Sequence, residues 1–286
     1  MVEKKLEKPF NGLKDKNMEK LNHKDLLKAG VHFGHLTRKW NPKMSKYIFM
    51  EKNGIHIIDL YKTIDCAFTA ASLLKNIAKS GRKIMFVATK KQAKTFVFEK
   101  AKKLNMPYVT ERWLGGMLTN FSTIRKSLKK LSAIESKESQ DTYETDFSKK
   151  ERLMISRNKY KLEKVLGGIS TLNRIPAALF VVDIKHEEIA INEARKLNIP
   201  IYGMVDTNSD PNLIDYEIPS NDDSFTSVSI IMEYISSAIS DGLEEREKIK
   251  EEMRIRQEKE ADAKEAAAKE AAVKEAKEAK KEKSKR

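Results

Sequence analysis

The stretch AALFVVDIKHEEIAINEARKLNIPIYGMV, residues 177–205, shows the arrangement that decides the fold. Two short apolar runs, 177–182 and 201–205, flank residues 187–197, which we predict to form a helix. Apolar strands that lack polar alternation and are separated by helices are typical of a parallel sheet covered on both faces. The stretch therefore predicts a strand–helix–strand unit of an α/β protein.

The same pattern extends along the chain in both directions. Upstream, KIMFVA (83–88) predicts a strand, and a helix at 91–104 leads to a short strand near Tyr108. Downstream, a short strand at 214–218 precedes a helix at 225–239. The predicted fold class is α/β, a three-layer α/β/α arrangement with a mainly parallel sheet.

Smaller elements precede this sheet. The apolar runs 47–50 and 55–58 are joined by Asn53-Gly54, which is a strong signal for a β-hairpin turn. Apolar residues over 64–79 lie on one helical face, so this segment predicts a helix.

Residues 120–166 interrupt the α/β pattern. Apolar residues repeat at helical spacing on both sides of a polar stretch, 136–147, that has no core-forming residues. Each helix has only a narrow apolar seam, so the two can bury it only against each other. We predict an inserted antiparallel helical hairpin resembling a coiled coil, with Arg125, Lys126 and Lys129 on its outer face.

The two ends of the chain differ in composition from its centre. Residues 1–21 are charged and lack periodicity, which predicts a mobile extension. Residues 242–286 are rich in Ala, Glu and Lys, with Glu–Lys pairs four residues apart, which predicts a partly helical or disordered tail. The α/β domain is therefore expected to occupy residues 22–241.

The distribution of charge indicates the class of partner. The chain has 286 residues and a net charge of +14, but residues 1–166 carry +20 and residues 167–240 carry −7. A strongly basic segment predicts a polyanionic partner. The single cysteine, Cys66, excludes an intramolecular disulfide. Because no apolar run approaches the roughly 18 residues of a membrane span and the first residues lack a signal-peptide core, we expect a cytoplasmic protein without a membrane partner.

A doubly wound sheet makes a nucleotide-dependent enzyme the main alternative. The patterns G-x-G-x-x-G, Gly-Lys-Ser/Thr and G-x-S-x-G do not occur in the sequence. His32 and His35 form an H-x-x-H pair, but spacing indicates no third ligand, which favours loop packing or phosphate contact. Asp183 and Asp206 follow apolar strands, yet the turn DTNSDP (206–211) favours backbone bracing over catalysis. We therefore expect no reaction, cofactor, metal or small-molecule substrate.

Two loops combine the residue types that bind nucleic acid. The basic loop (31–46) offers cations, neutral donors and an aromatic ring without a carboxylate, and its candidates are His35, Thr37, Arg38, Lys39, Trp40, Asn41, Lys43 and Lys46. The glycine loop (112–120) could bring backbone N–H groups close to a phosphate, and its candidates are Arg112, Trp113, Gly115, Gly116, Thr119 and Asn120. Since no helix-turn-helix or zinc-finger pattern is present, structured RNA is favoured over a DNA operator.

Four segments resemble the bacterial small-subunit ribosomal protein S2 family. They are LLKAGVHFGHLTRKWNPKMSKYIF (26–49), RWLGGMLTNFSTI (112–124), LFVVDIKHEEIAINEARKLNIPIYGMVDTNSDP (179–211) and IPSNDD (218–223). The resemblance runs in order from about residue 22 to 241. It implies a three-layer α/β/α domain with an inserted coiled-coil hairpin and no enzymatic activity.

The same resemblance implies a structural constituent of the small (30S) ribosomal subunit. It implies binding to 16S ribosomal RNA and contacts with neighbouring ribosomal proteins, notably docking of the large mRNA-binding protein S1. The missing glycine patterns disfavour the nucleotide-dependent enzyme. A third alternative is the adhesion or receptor role attributed to eukaryotic relatives, and the lack of a signal segment disfavours it.

Overall fold

A small antiparallel sheet forms the N-terminal part of the fold. The computed structural model describes residues 20–138 and 147–283, beginning with α1 (His23–Lys28). Three strands follow, β1 (Phe33–Leu36), β2 (Ile48–Lys52) and β3 (Ile55–Ile58), and they pair in the order β1-β3-β2. Asn53 and Gly54 both have positive φ, 54° and 72°, as a type I′ turn requires. The predicted hairpin is confirmed.

Strand β1 corrects one prediction. The sequence predicts an irregular loop over 31–46, but four of its residues form β1, which pairs with β3 through Phe33 and Leu36. The strand is short and its register shifts, so it has no clean alternation of apolar and polar residues. The rest of the basic loop forms two 3₁₀ helices, Thr37–Lys39 and Pro42–Tyr47.

The central sheet has five parallel strands. They are β4 (Ile84–Val87), β5 (Tyr108–Val109), β6 (Ala178–Val182), β7 (Ile201–Val205) and β8 (Tyr216–Pro219). Their order is β5-β4-β6-β7-β8, and every neighbouring pair is parallel. The helices are α2 (Leu60–Lys79), α3 (Lys91–Lys103), α4 (Phe121–Glu138), α5 (Lys149–Leu166), α6 (Glu188–Lys196) and α7 (Phe225–Lys283).

Helices cover both faces of this sheet, so the three-layer α/β prediction is confirmed. Successive residues of a strand point to opposite faces, and both faces are apolar because both are buried. Phe86 and Phe180 lie in the core beneath α2, α3 and α7. Val87 and Val181 lie in the other core, with α6, the glycine loop and the base of the hairpin.

The predicted helical hairpin consists of α4 and α5, which pack against each other. Ser148 begins α5 with a capping box, in which it bonds the backbone N–H of Glu151 and the Glu151 carboxylate bonds back. The two helices do not bury their apolar residues only against each other. At the base of the hairpin, Ile124 and Leu166 pack in the core of the central sheet. Part of the predicted polar stretch 136–147 lies outside the described residues.

Helix α7 is much longer than the predicted helix at 225–239. It continues through Gly242, where an added Cβ would lie 2.5 Å from the backbone oxygen of Lys75. A glycine therefore allows α7 to approach α2 closely. One turn later, Glu245 bonds both Lys75 and Lys79, at 2.8 and 2.9 Å. The expected boundary between the α/β domain and the tail, near residue 242, lies inside this packed helix. The pattern of apolar residues did not reveal it, because the contact is made by a glycine.

Two further expectations concern the N-terminal extension and the absence of a membrane span. Residues 1–19, nearly all of the predicted N-terminal extension, lie outside the described part of the chain. Among the helices of the described residues, none has an apolar stretch long enough to cross a membrane.

Candidate nucleic-acid interface

The candidate loops lie at one edge of the central sheet. Its strands are parallel, so their carboxyl ends and the loops that follow them share that edge. The glycine loop follows β5, whereas the basic loop reaches this edge through tertiary contacts. The backbone N–H of Asn41 donates to the carbonyl of Thr207 after β7 at 2.8 Å. Lys43 bonds Asp210 in the same loop, at 2.6 Å.

Buried side chains hold the basic loop in place. Met44 is fully buried in the core beneath the loop, and Tyr47 is buried beside it. The Asn41 side chain accepts from the backbone N–H of Lys43 and so begins the second 3₁₀ helix. Thr37 is half-buried, and its N–H donates to the carbonyl of Gly54. These contacts fix the backbone of the loop.

The cations of the basic loop differ in whether the chain already neutralises them. Lys43 pairs with Asp210, and Lys46 pairs with Glu217 at 3.1 Å. Arg38 and Lys39 are exposed and form no ion pair with any described residue. Beside them, Trp40 is 38% exposed and its ring leans on His56, with centroids 5.0 Å apart. Two uncompensated cations and an accessible ring therefore lie next to one another.

His35, also a candidate of the basic loop, faces the interior. Its Nδ1 lies 2.8 Å from Asp206 Oδ2 and its Nε2 lies 3.4 Å from Asp223 Oδ2. The hydrogen bond with Asp206 raises the pKa of His35. With both ring nitrogens directed at carboxylates, His35 is placed against the acidic loops rather than toward a phosphate.

The glycine loop is built around a buried carboxylate from α6. The backbone N–H groups of Gly116 and Leu118 donate to Glu193 at 2.7 and 2.9 Å. The N–H and hydroxyl of Thr119 donate to it as well, at 3.0 and 3.1 Å. The indole Nε1 of Trp113 donates at 3.1 Å, and the ring is only 6% exposed.

This geometry corrects the phosphate-cradle interpretation of the glycine loop. The donors that were expected to face phosphate already bind Glu193, so Trp113, Gly116 and Thr119 serve the fold. Burial by itself would raise the pKa of Glu193, but the N–H bonds of Thr119 and Leu118 hold that pKa below its usual value. The carboxylate is therefore charged and saturated with donors.

The other candidates of the glycine loop are placed differently. Arg112 and Gly115 are exposed, and Arg112 has no ion pair among the described residues. The side-chain oxygen Oδ1 of Asn120 accepts from the hydroxyls of Ser122 and Thr123 at the start of α4. Arg112 is thus the one charged side chain of this loop available to a partner.

The hairpin presents a further group of cations. Arg125, Lys126 and Lys129 are exposed on α4, as predicted, and form no ion pair with a described residue. Their α4 neighbours Ile124 and Leu131 are buried, so the polar face points away from the rest of the fold.

Sequence reasoning missed an acidic cluster at the same edge. Lys90, after β4, lies 2.9 Å from Asp222 Oδ1, 3.2 Å from Asp183 Oδ2 and 2.7 Å from Asp223 Oδ1. Asp206 lies on the other side, against His35. Only the parallel order of the strands brings these residues together. Asp183 and Asp206 each follow an apolar run in the sequence, but Asp222 and Asp223 do not.

The acidic block of the sequence therefore has an internal use. Besides Lys90, the basic segment contributes Lys43, Lys46 and Lys100 to ion pairs with residues of the block 167–240. Acidic residues of the same chain therefore neutralise part of the charge of the basic segment. The uncompensated cations, rather than the total charge, mark the surface for a polyanion.

The sequence is similar to a known protein family over most of its length. The sequence profile described as "Ribosomal protein S2" matches residues 26–242. The chain belongs to the ribosomal protein S2 family. "Small ribosomal subunit protein uS2" of Cytophaga hutchinsonii is 60% identical over 243 residues, covering 85% of this chain and 95% of that protein. The protein of the same name from Flavobacterium psychrophilum is 61% identical over 232 residues, covering 81% of this chain and 87% of its own length.

A third relative extends the similarity to another genus. "Small ribosomal subunit protein uS2" of Parabacteroides distasonis is 57% identical over 233 residues, covering 82% of this chain and 84% of that protein. Membership of the S2 family confirms a structural, non-enzymatic constituent of the cytoplasmic ribosome, with ribosomal RNA and ribosomal proteins as partners. It decides against the nucleotide-dependent enzyme and favours the ribosomal role over an adhesion role.

Proposed function

We propose that the chain binds 16S ribosomal RNA through the uncompensated cations of the basic loop and of the hairpin. The observation that carries the proposal is the juxtaposition of exposed, unpaired Arg38 and Lys39 with the accessible ring of Trp40. Cations bind phosphates, and an exposed ring can stack on an unpaired base.

The hairpin extends this surface. Arg125, Lys126 and Lys129 form an exposed, unpaired group on α4. Arg112 precedes that helix and is also exposed, so it belongs to the same proposed surface. Neutralising phosphates and holding the RNA in one geometry requires no reaction, which agrees with the non-enzymatic family.

The proposal is tested by the salt dependence of binding to 16S ribosomal RNA. Each phosphate contact contributes ~0.7–0.9 to the slope of log affinity against log salt, so Arg38→Ala with Lys39→Ala should lower the slope by about 1.5. Lys43→Ala should change the slope less, because Asp210 already pairs with Lys43. The matched control is Lys248→Ala with Lys250→Ala, two exposed cations of α7. An unchanged slope in the first variant, with native circular dichroism, would contradict the proposal.

Trp40→Ala tests the stacking contribution separately. Stacking of a base on an aromatic ring is worth ~1–3 kcal/mol, so the affinity should fall at every salt concentration while the salt slope stays the same. A variant that binds RNA normally would remove Trp40 from the interface.

We also propose that the antiparallel sheet docks a neighbouring ribosomal protein, with S1 as the candidate that the family resemblance implies. Phe33 and Met50 both stand opposite Ile57, so they share one face of this sheet, and Leu36 stands opposite Ile55 two residues along. All three side chains are exposed apolar groups on that face. A row of exposed apolar side chains is typical of a surface that another protein covers.

Docking is tested by co-sedimentation of S1 with reconstituted small subunits. Phe33→Ser with Met50→Ser should reduce the S1 that sediments with the subunit while the chain itself still assembles. Met253→Ser on α7, also an exposed apolar residue, is the control. Undiminished S1 with the double variant would place docking elsewhere.

A further inference from the structure

The acidic cluster at the carboxyl edge has a geometry that the ribosomal role does not use. One ligand atom each from His35, Asp206 and Asp222 lie within 4.8 Å of one another. The three residues come from β1, from the loop after β7 and from the loop after β8. Asp206 and Asp222 are almost completely buried, and His35 closes the cluster from the side of the basic loop.

Asp222 supplies an independent sign that a ligand belongs here. Its side chain is 0% exposed, and Oδ1 bonds Lys90 at 2.9 Å. Its other oxygen, Oδ2, is buried and has no hydrogen-bond partner among the described residues. A buried carboxylate oxygen without a partner is costly, so such an atom calls for a cation or a proton.

The charges around the cluster do not balance. Asp183, Asp206, Asp222 and Asp223 contribute four carboxylates, and within the described part of the chain Lys90 is the one permanent cation that pairs with them. Lys90 bonds three of the four, whereas Asp206 is bonded by His35 instead. A divalent cation on the side of Asp206 would offset this excess of negative charge.

Asp206 is oriented for such a role. Its Oδ1 accepts from the backbone N–H and the hydroxyl of Thr207, which fixes the carboxylate. Its Oδ2 is then directed toward His35. Secondary hydrogen bonds of this kind commonly hold metal-binding carboxylates in position.

We propose that His35, Asp206 and Asp222 bind a divalent transition-metal ion of the zinc type. One imidazole nitrogen and two carboxylate oxygens are ordinary zinc ligands, and water can complete the coordination. Mg²⁺ prefers an all-oxygen, octahedral shell and accepts imidazole poorly. The ion would replace the proton between His35 and Asp206 and would tie the basic loop to the loops after β7 and β8.

The test uses the purified full chain, stripped with a chelator, incubated with Zn²⁺ and then dialysed against metal-free buffer. Mass-spectrometric metal analysis should find about one zinc ion per chain, and the thermal midpoint should rise with Zn²⁺ by several degrees. Mg²⁺ at the same concentration should leave the thermal midpoint unchanged. Asp222→Asn should lose both the bound zinc and the rise in thermal midpoint.

Asp223→Asn is the matched control. Asp223 contacts Lys90 and His35 but lies outside the three-residue cluster, so its variant should keep the zinc. His35→Gln is the second cluster variant: an amide can keep the hydrogen bond to Asp206 but is a poor zinc ligand, so it too should lose the metal. It decides the question if Asp222→Asn fails to fold.

Four results would overturn the proposal, and the first three concern the unaltered chain and the cluster variants. They are no retained zinc in the unaltered chain, full retention of zinc by either folded cluster variant, and equal stabilisation by Mg²⁺ and Zn²⁺. Loss of zinc from Asp223→Asn to the same extent as from Asp222→Asn would also overturn it, since total charge rather than ligation would then explain binding.

Discussion

The basic loop and the glycine loop share several residue types, but their tryptophans and polar groups have different surroundings. Each contains one tryptophan, at least one arginine and several neutral donors. Trp40 is 38% exposed beside two unpaired cations, whereas Trp113 is 6% exposed and donates to Glu193. The difference shows that residue types alone do not say which way the donors of a loop point. The carboxylate of Glu193, far from the glycine loop in the sequence, accepts the hydrogen bonds of that loop and so directs its donors toward the interior.

The two tryptophans provide the largest expected contrast. Trp113→Ala should lower the free energy of unfolding by about 3–5 kcal/mol, because it removes a buried aromatic side chain and its hydrogen bond. Trp40→Ala should lower it by less than about 1 kcal/mol, because Trp40 is 38% exposed and is absent from the buried core. Chemical denaturation of the two variants measures both values. Equal losses would mean that the basic loop is as much a part of the core as the glycine loop.

Glu193→Gln should have the next largest effect. The amide keeps one acceptor oxygen but turns an N–H₂ group toward donors that need acceptors, so the free energy of unfolding should fall by about 2–3 kcal/mol. Glu188→Gln is the control, since Glu188 lies on the same helix and is exposed. If both variants were equally stable, the hydrogen bonds to Glu193 would not hold the glycine loop.

The pH dependence of this difference gives a smaller, more specific effect. The pKa of Glu193 is lower in the folded chain than its ordinary value of 4.5. A carboxylate of this kind stabilises the fold fully above its unfolded pKa, and the contribution is lost as the pH falls through the folded pKa. The stability gap between the unaltered chain and Glu193→Gln should therefore be constant near neutral pH and narrow below about pH 4.5. Denaturation curves at several pH values measure the gap, and a gap that widened in acid would contradict the assignment.

The elements that the sequence predicts well are those with a strong local signal. The apolar runs of β4, β6 and β7 indicate buried parallel strands by themselves, and Asn53-Gly54 indicates its turn by backbone conformation. Strand β1 has no such signal, because it is short, carries Gly34 and depends on pairing with β3. The predicted helix at 225–239 is likewise too short, because the contact of Gly242 with α2 is not visible in the sequence.

The site was harder to predict than the fold for the same reason. Arg38 and Lys39 remain candidates because nothing in the described fold pairs with them, while Lys43 has an aspartate partner 167 positions away in the sequence. Asp222 and Lys90 were not candidates, since neither has a local pattern that indicates a site. In both cases an ion pair between residues far apart in the sequence determines whether a charged side chain is available to a partner. The composition of the chain does not reveal such pairs.

Cross-linking of the assembled small subunit tests directly whether the basic loop and α4, rather than the glycine loop, contact the RNA. Ultraviolet irradiation of subunits containing this chain, followed by mass spectrometry of nucleotide-bearing peptides, identifies the residues that touch RNA. We expect cross-links in the basic loop around Arg38, Lys39 and Trp40 and on α4 around Lys126, with none at Trp113. Cross-links at Trp113 or Gly116, together with an unmodified basic loop, would contradict it.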